Sequence, residues 1–192
     1  MAAMKTQRPW FSNSGSGKDW IDMPEPWLRG SLVDVPAVAR ATLHALQLAE
    51  EDVTRWCADL TDIELNREPL GLPALVFHIR HLSRSLDRLL TYAEGHQLSV
   101  VQMAALGTEH TADIPSSVVL TEFSMSLAEA AQRVRALSTL NLEEPRYVGR
   151  KQLPTSLGGL LVHIADHTQR HVGEIITTVK VLKALRQPNA RT

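Results

Sequence analysis

Residues 157–182 read LGGLLVHIADHTQRHVGEIITTVKVL. Leu157, Leu160, Leu161, Ile164, Val172, Ile175, Val179 and Leu182 recur at the helical period, so one face of this stretch is apolar throughout. The pattern predicts a long helix from about Thr155 to Arg186, stopping before Pro188. Such a stripe needs a partner surface, and three more helices of the same kind lie upstream. The first begins near Asp34, a good N-cap, with Pro36 tolerated in the first turn. It carries Val35, Val38, Thr42, Leu46, Ala49, Val53, Trp56, Cys57 and Leu60 on one stripe. The second runs from about Leu72 to Glu94 and ends at Gly95, with Leu75, Ile79, Leu82, Leu86, Leu89 and Ala93 inward. The third runs from Ser117 to about Ser138, with Leu120, Phe123, Leu127, Ala130, Val134 and Leu137 inward. Asp59 to Pro69 is a polar connection, Gln97 to Leu106 a short helix, and Asn141 to Pro154 a loop carrying Arg146, Tyr147 and Arg150. Four amphipathic helices sharing one buried face make an all-α chain with a four-helix bundle over residues 34–188.

Composition supports this class and narrows the function. Hydrophobic residues are 44% and aromatics only 5% of the 192 residues, so the core is built from Leu, Val, Ile and Ala, which suits helices better than a β-sandwich. Twenty basic residues against 21 acidic ones leave a formal charge of -1, with no basic excess to meet a phosphate backbone; nucleic acid is not an expected partner. The single cysteine, Cys57, excludes an internal disulfide and a multi-thiolate zinc site, and its place on the first stripe reads as a buried small apolar side chain. No secretory signal and no membrane-spanning stretch is evident, which points to the cytoplasm and away from a membrane partner.

Residues 1–33 form a distinct extended, partly flexible zone. Ser12 to Gly17 reads as linker, and Pro24, Pro26 and Gly30 oppose a helix. Trp10, Trp20 and Trp27 also lie here, and the segment around Trp27 is expected to pack back on the body as a hydrophobic anchor.

Five of the eight histidines fall in two helices: His78 and His81, then His163, His167 and His171. At about 100° per residue, positions four apart differ by about 40°, so His-x-x-x-His on a helix lets two imidazoles close on one metal. By helical phase His171 lies inside the apolar stripe, His167 at its margin and His163 further out; on the second helix His78 is at the margin and His81 further out. His78, His167 and His171 are thus the three that face the interior or its rim, either as metal ligands or as hydrogen-bonded packing residues. The motif lacks the glutamate of His-Glu-x-x-His, because Ile164 or Thr168 stands there. Glu174, one turn past His171, can orient a ligand histidine or take a proton, or can be an ordinary exposed helix glutamate.

Glu25-Pro26-Trp27-Leu28-Arg29-Gly30, His78 followed by Ser85 to Tyr92, and His163 to Glu174 together resemble the DinB/YfiT-like superfamily, over most of residues 34–186. The resemblance implies a four-helix bundle with an unusual helix order, commonly a homodimer. It also implies a zinc or nickel ion held by His78, His167 and His171. Many members have Arg-Gly-Gln after the last histidine where this chain has Val172-Gly173-Glu174, so an arginine donor is lost and an acid gained.

Relatives by this resemblance include transferases and an isomerase that use low-molecular-weight thiols. The expectation is therefore a divalent-metal enzyme acting on a small-molecule substrate, with a thiol as co-substrate, as a thiol S-transferase. Three neutral histidines leave an open metal position, where a thiol would be deprotonated. Glu174 or His163 would move protons, and Arg146 and Arg150 would hold an anionic thiol. The competing readings are metal-assisted hydrolysis and a non-catalytic metal-binding stress-response bundle whose ion stiffens the fold.

Overall fold

A computed structural model describes residues 23–111 and 113–186. The linker at Ser12 to Gly17, Trp10, Trp20 and Pro188 lie outside the described residues. Four long helices dominate: α1 (Ala37–Cys57), α3 (Leu75–Ala93), α5 (Ser116–Leu137) and α6 (Leu157–Leu185). Two short helices, α2 (Asp62–Asn66) and α4 (Val100–Leu106), sit in the connections. The long helices pack in the ring order α1, α6, α3, α5, so α1 faces α3 across the diagonal and α5 faces α6. Consecutive long helices α1 and α3 are therefore not neighbours. Leu46, Leu75, Ile79, Leu82, Leu90, Leu161, Ile164 and Ile175 are fully buried where the four stripes meet. No described helix is long and apolar enough to cross a membrane.

The stripes read from sequence are the ones buried, with adjustments at the ends. Asp34 does not cap α1: Pro36 occupies the cap position without a side-chain hydrogen bond, and Asp34 instead faces Arg135 at 3.7 Å. Gly95 follows the α3 cap residue with φ of +85°, a backbone conformation that suits glycine at this helix end. The polar connection after α1 contains α2, nucleated by a capping box in which Thr61 and Glu64 satisfy each other's backbone N–H groups.

Two features depart more from expectation. The stretch from Asn141 to Pro154 is not only a loop. Residues Pro145–Val148 (β1) and Leu153–Ser156 (β2) pair as an antiparallel hairpin, Val148 opposite Leu153, and β2 runs straight into α6. The junction is tight: Gly158 N–H donates to Leu142 O at 2.8 Å, and a Cβ on Gly158 would lie 3.2 Å from that oxygen. At the other end, Pro26 is buried and Arg29 makes a bidentate pair with Glu51 of α1 at 2.6 and 2.8 Å, while Trp27 is 61% exposed. The segment does pack on α1, but a proline and an ion pair anchor it; the Trp27 indole N–H turns out to Glu25.

Cys57 is buried, and burial pushes its thiol up to about 12, so it is an inert core residue. Leu46→Ala, in the core and away from the histidines, should cost roughly 2–5 kcal/mol by lost burial and cavity formation. Urea denaturation measures this, and a loss below about 1 kcal/mol would show that the α1 stripe does not carry the core.

Candidate metal centre and cleft

The histidines of α3 and α6 come together where these helices pack side by side. His81, His167 and His171 each place a ring nitrogen within 4.8 Å of the others. Their ring centroids are 5.4 Å apart for His81 and His167, and 4.6 Å apart for His81 and His171 and for His167 and His171. The α6 pair meets because its members are one turn apart, as the spacing predicts. The third member is His81, where His78 was expected. His78 is the more deeply buried of the two, 5% exposed, and lies instead with His171 and Glu174. His163 does not join the three; it is exposed, 5.6 Å from His167 between ring centroids.

A carboxylate fixes the orientation of His81. Glu109, on the loop after α4, is 5% exposed and lies 2.8 Å from His81 Nδ1 and 2.7 Å from Arg88 Nη1. Burial pushes the Glu109 carboxyl up, but the hydrogen bonds from His81 and Arg88 outweigh it and hold the group below the usual carboxylate range. An ionised carboxylate only accepts, so His81 Nδ1 must donate, and Nε2 is the ring's other nitrogen, with Ser85 Oγ 3.3 Å away. The loop is latched to α3 by residues one turn apart: Arg80 donates to Thr108 O at 2.8 Å, Arg84 to Ala105 O at 2.7 Å, and Arg88 to Glu109. Neither His81 nor Glu109 was singled out from the sequence. The available signal was the ladder Arg80, Arg84, Arg88 beside His81, a row of donors on one helix face that requires acceptors from a nearby segment.

Burial lowers the pKa values of His78, His167 and His171 below the usual imidazole range, His167 to about 4, and the neighbouring imidazoles add to the effect. The donor set therefore fits a divalent ion: imidazoles from two facing helices, the α6 pair kept neutral by burial and the α3 ring held by a carboxylate. These values also give the metal-free protein a signed pH dependence. Between the usual value of 6.5 and about 4, the unfolded chain protonates a ring such as His167 while the folded chain does not. The unfolded state then binds more protons, so stability is full above that window and falls as pH drops through it. The Tm of chelator-treated protein should decrease from pH 7 to pH 4; a flat profile would contradict neutral buried rings.

A cleft of about 520 Å³ opens onto His81, His163 and His167. Leu89, Leu98, Met103 and Leu106 give it an apolar wall, and Arg88, Arg150 and Tyr92 add polar groups. Arg150 is brought there by the tip of the β hairpin, where Gly149 turns the chain at φ of +70°. Gln102 fixes the α4 wall by donating to Asp87 at 2.8 Å and Thr91 at 2.7 Å. Arg146 does not line the cleft. It is 6% exposed, and its guanidinium donates to Ala93 O at 2.6 Å and Pro145 O at 2.9 Å, tying the hairpin to the end of α3. Glu174 does not reach the cleft either; its Oε2 lies 2.5 Å from His171 Nδ1 and 3.1 Å from His78 Nδ1.

A family model described as the DinB superfamily matches residues 45–175. The chain belongs to the DinB superfamily. None of the curated proteins and none of the solved structures matches it. The DinB match runs from within α1 into α6 and contains His78, His81, His167, His171 and Glu174, so membership and the histidine geometry bear on the same segment.

Proposed function

We propose that this DinB-superfamily protein is a divalent-metal-dependent enzyme that transfers a low-molecular-weight thiol to a small electrophilic substrate. The observation that supports it is that the histidine cluster opens onto a walled cleft, which leaves room for a substrate beside the ligands; structural metal sites are closed. His81, His167 and His171 would hold the ion, zinc or nickel by the imidazole donor set. The ion would supply Lewis acidity, lowering the pKa of a thiol placed beside it.

The chain's own residues do the rest. Arg150, exposed at the hairpin tip, meets an anionic group of the thiol at the cleft mouth. His163 lines the same cleft and is placed to take up the thiol proton. Leu89, Leu98, Met103 and Leu106 exclude water and receive the apolar part of the electrophile. Glu109 and Glu174 act through His81 and His171, as charged neighbours of the ring nitrogens turned from the cleft. In balance, the sulfur–carbon bond forms as the leaving group departs, and the thiol proton passes to His163 and then to solvent or the leaving group.

The test is a panel of low-molecular-weight thiols against an electrophilic aryl halide, with zinc- or nickel-loaded and chelator-treated protein. Metal- and thiol-dependent loss of the aryl halide, with a raised KM for thiol in Arg150→Ala, is expected. A loaded protein inert with every thiol, and a cobalt-substituted protein whose visible spectrum ignores added thiol, would remove the transferase reading.

A further inference from the structure

His171 belongs to two groups of potential ligands. One is the cluster at the cleft; the other is His78, His171 and Glu174, whose donor atoms also lie within 4.8 Å of one another. Two observations mark the second group. His78 Nδ1 is buried without a hydrogen-bond partner, with Glu174 Oε2 3.1 Å away but outside the ring's donor geometry, and the same carboxylate oxygen lies 2.5 Å from the buried His171 Nδ1. His78 is also 5% exposed, so an unsatisfied ring nitrogen is aimed into the group from a deeply buried side chain. The Glu174 side chain is 44% exposed, which gives the group access to solvent and room for the carboxylate to shift.

We propose that His78 Nδ1, His171 Nδ1 and a Glu174 oxygen form a second divalent-cation seat, joined to the first through the His171 ring. Two imidazoles and a carboxylate are a donor set suited to zinc and its neighbours, with water completing the coordination. Neither His78 nor Glu174 lines the cleft, so this ion would not meet the substrate. It would instead tie α3 to α6 behind the cluster. With both seats filled, His171 binds one ion through each nitrogen. The Nδ1 proton then leaves to solvent as the second bond forms, and the ring becomes a bridging imidazolate. The bridge rests on the assignment of His81, His167 and His171 as ligands; the second seat does not.

The experiment is a zinc titration of the metal-free full chain, with bound zinc measured after desalting. The variants are His78→Ala, Glu174→Ala and His167→Ala, each checked for helical content. Two ions per chain are expected in the wild type, and one in His78→Ala or Glu174→Ala. The exposed Glu174 keeps the test valid if the buried His78 variant does not fold. One ion in the wild type and in Glu174→Ala alike would overturn the second seat, as would two in both. Unchanged zinc in His167→Ala would count against the cleft ligands instead, so the two failures are distinct. Copper supplies the test of the bridge: the two-copper wild type should show an EPR signal below its copper content through coupling across the ring, with full signal per copper in Glu174→Ala. Full signal from the two-copper wild type would overturn the bridge.

Discussion

His81→Ala should lose one zinc ion per chain relative to the wild type and, with it, thiol-dependent turnover. His78→Ala should keep the ion at the cleft. The contrast is sharp because the two residues are one turn apart on α3 and differ in what they face. His81 approaches both His167 and His171, whereas His78 approaches His171 and Glu174. Losing one of three ligands leaves two imidazoles on a single helix, which cannot enclose the ion from a second side. His81 is also half-buried and away from the deepest core, so far-UV circular dichroism should be unchanged by the substitution. Full zinc retention in His81→Ala, combined with its loss in His78→Ala, would reverse the ligand assignment.

Glu109→Ala should weaken zinc binding by about 10–100-fold without touching a ligand, the usual scale for a residue that orients a metal-bound histidine. Two causes act together. His81 loses the acceptor that holds Nδ1–H, so the ring is free to turn and to exchange tautomers. Arg88 keeps its hydrogen bond to Ser85 at 3.0 Å but loses its ionic partner in a half-buried position. The metal-free protein should lose about 1–3 kcal/mol as well, the scale for orphaned buried polar groups. Competition against a chelator gives the affinity and urea denaturation the stability. Glu109→Gln is the informative control: it keeps one acceptor oxygen where the carboxylate offers a separate one to His81 and to Arg88, so it should fall between the wild type and Glu109→Ala. Unchanged affinity in Glu109→Ala would show that the loop does not position His81.

The four long helices were legible because their evidence is local and periodic. The spacing from Leu157 to Leu182 carries the whole of α6, and His167 and His171 are neighbours by backbone geometry alone. The third histidine of the cleft cluster was not legible in the same way. Helical phase ranked His78 as more inward than His81, and the burial agrees. Depth is a different quantity from orientation toward a cleft, however. A site that admits a substrate opens at the rim of the bundle, and the rotation of α3 that turns His81 to that rim is set by its packing against α5 and α6. Glu109 was hidden because the path of its loop depends on three arginines of another helix. The hairpin was hidden because its strands are four residues each, and Pro145 and Pro154 argue against strands in a sequence. Arg146 shows the limit of composition: a loop arginine looks available until its carbonyl partners are known.

The ring order of the bundle also bears on how the protein is made. During synthesis α1 emerges without its neighbour α6, and the contacts of Thr42 and Ala45 with Leu161 and Gln169 must wait until α6 has followed, across the length of the domain. Contacts so distant in the chain slow folding, since a long loop must close before they form. Two of the three histidines of the cleft cluster lie on α6. A nascent chain that ends before α6 therefore holds the α3 histidines with no second side to the cluster, and the proposed metal seat would form only as the bundle closes.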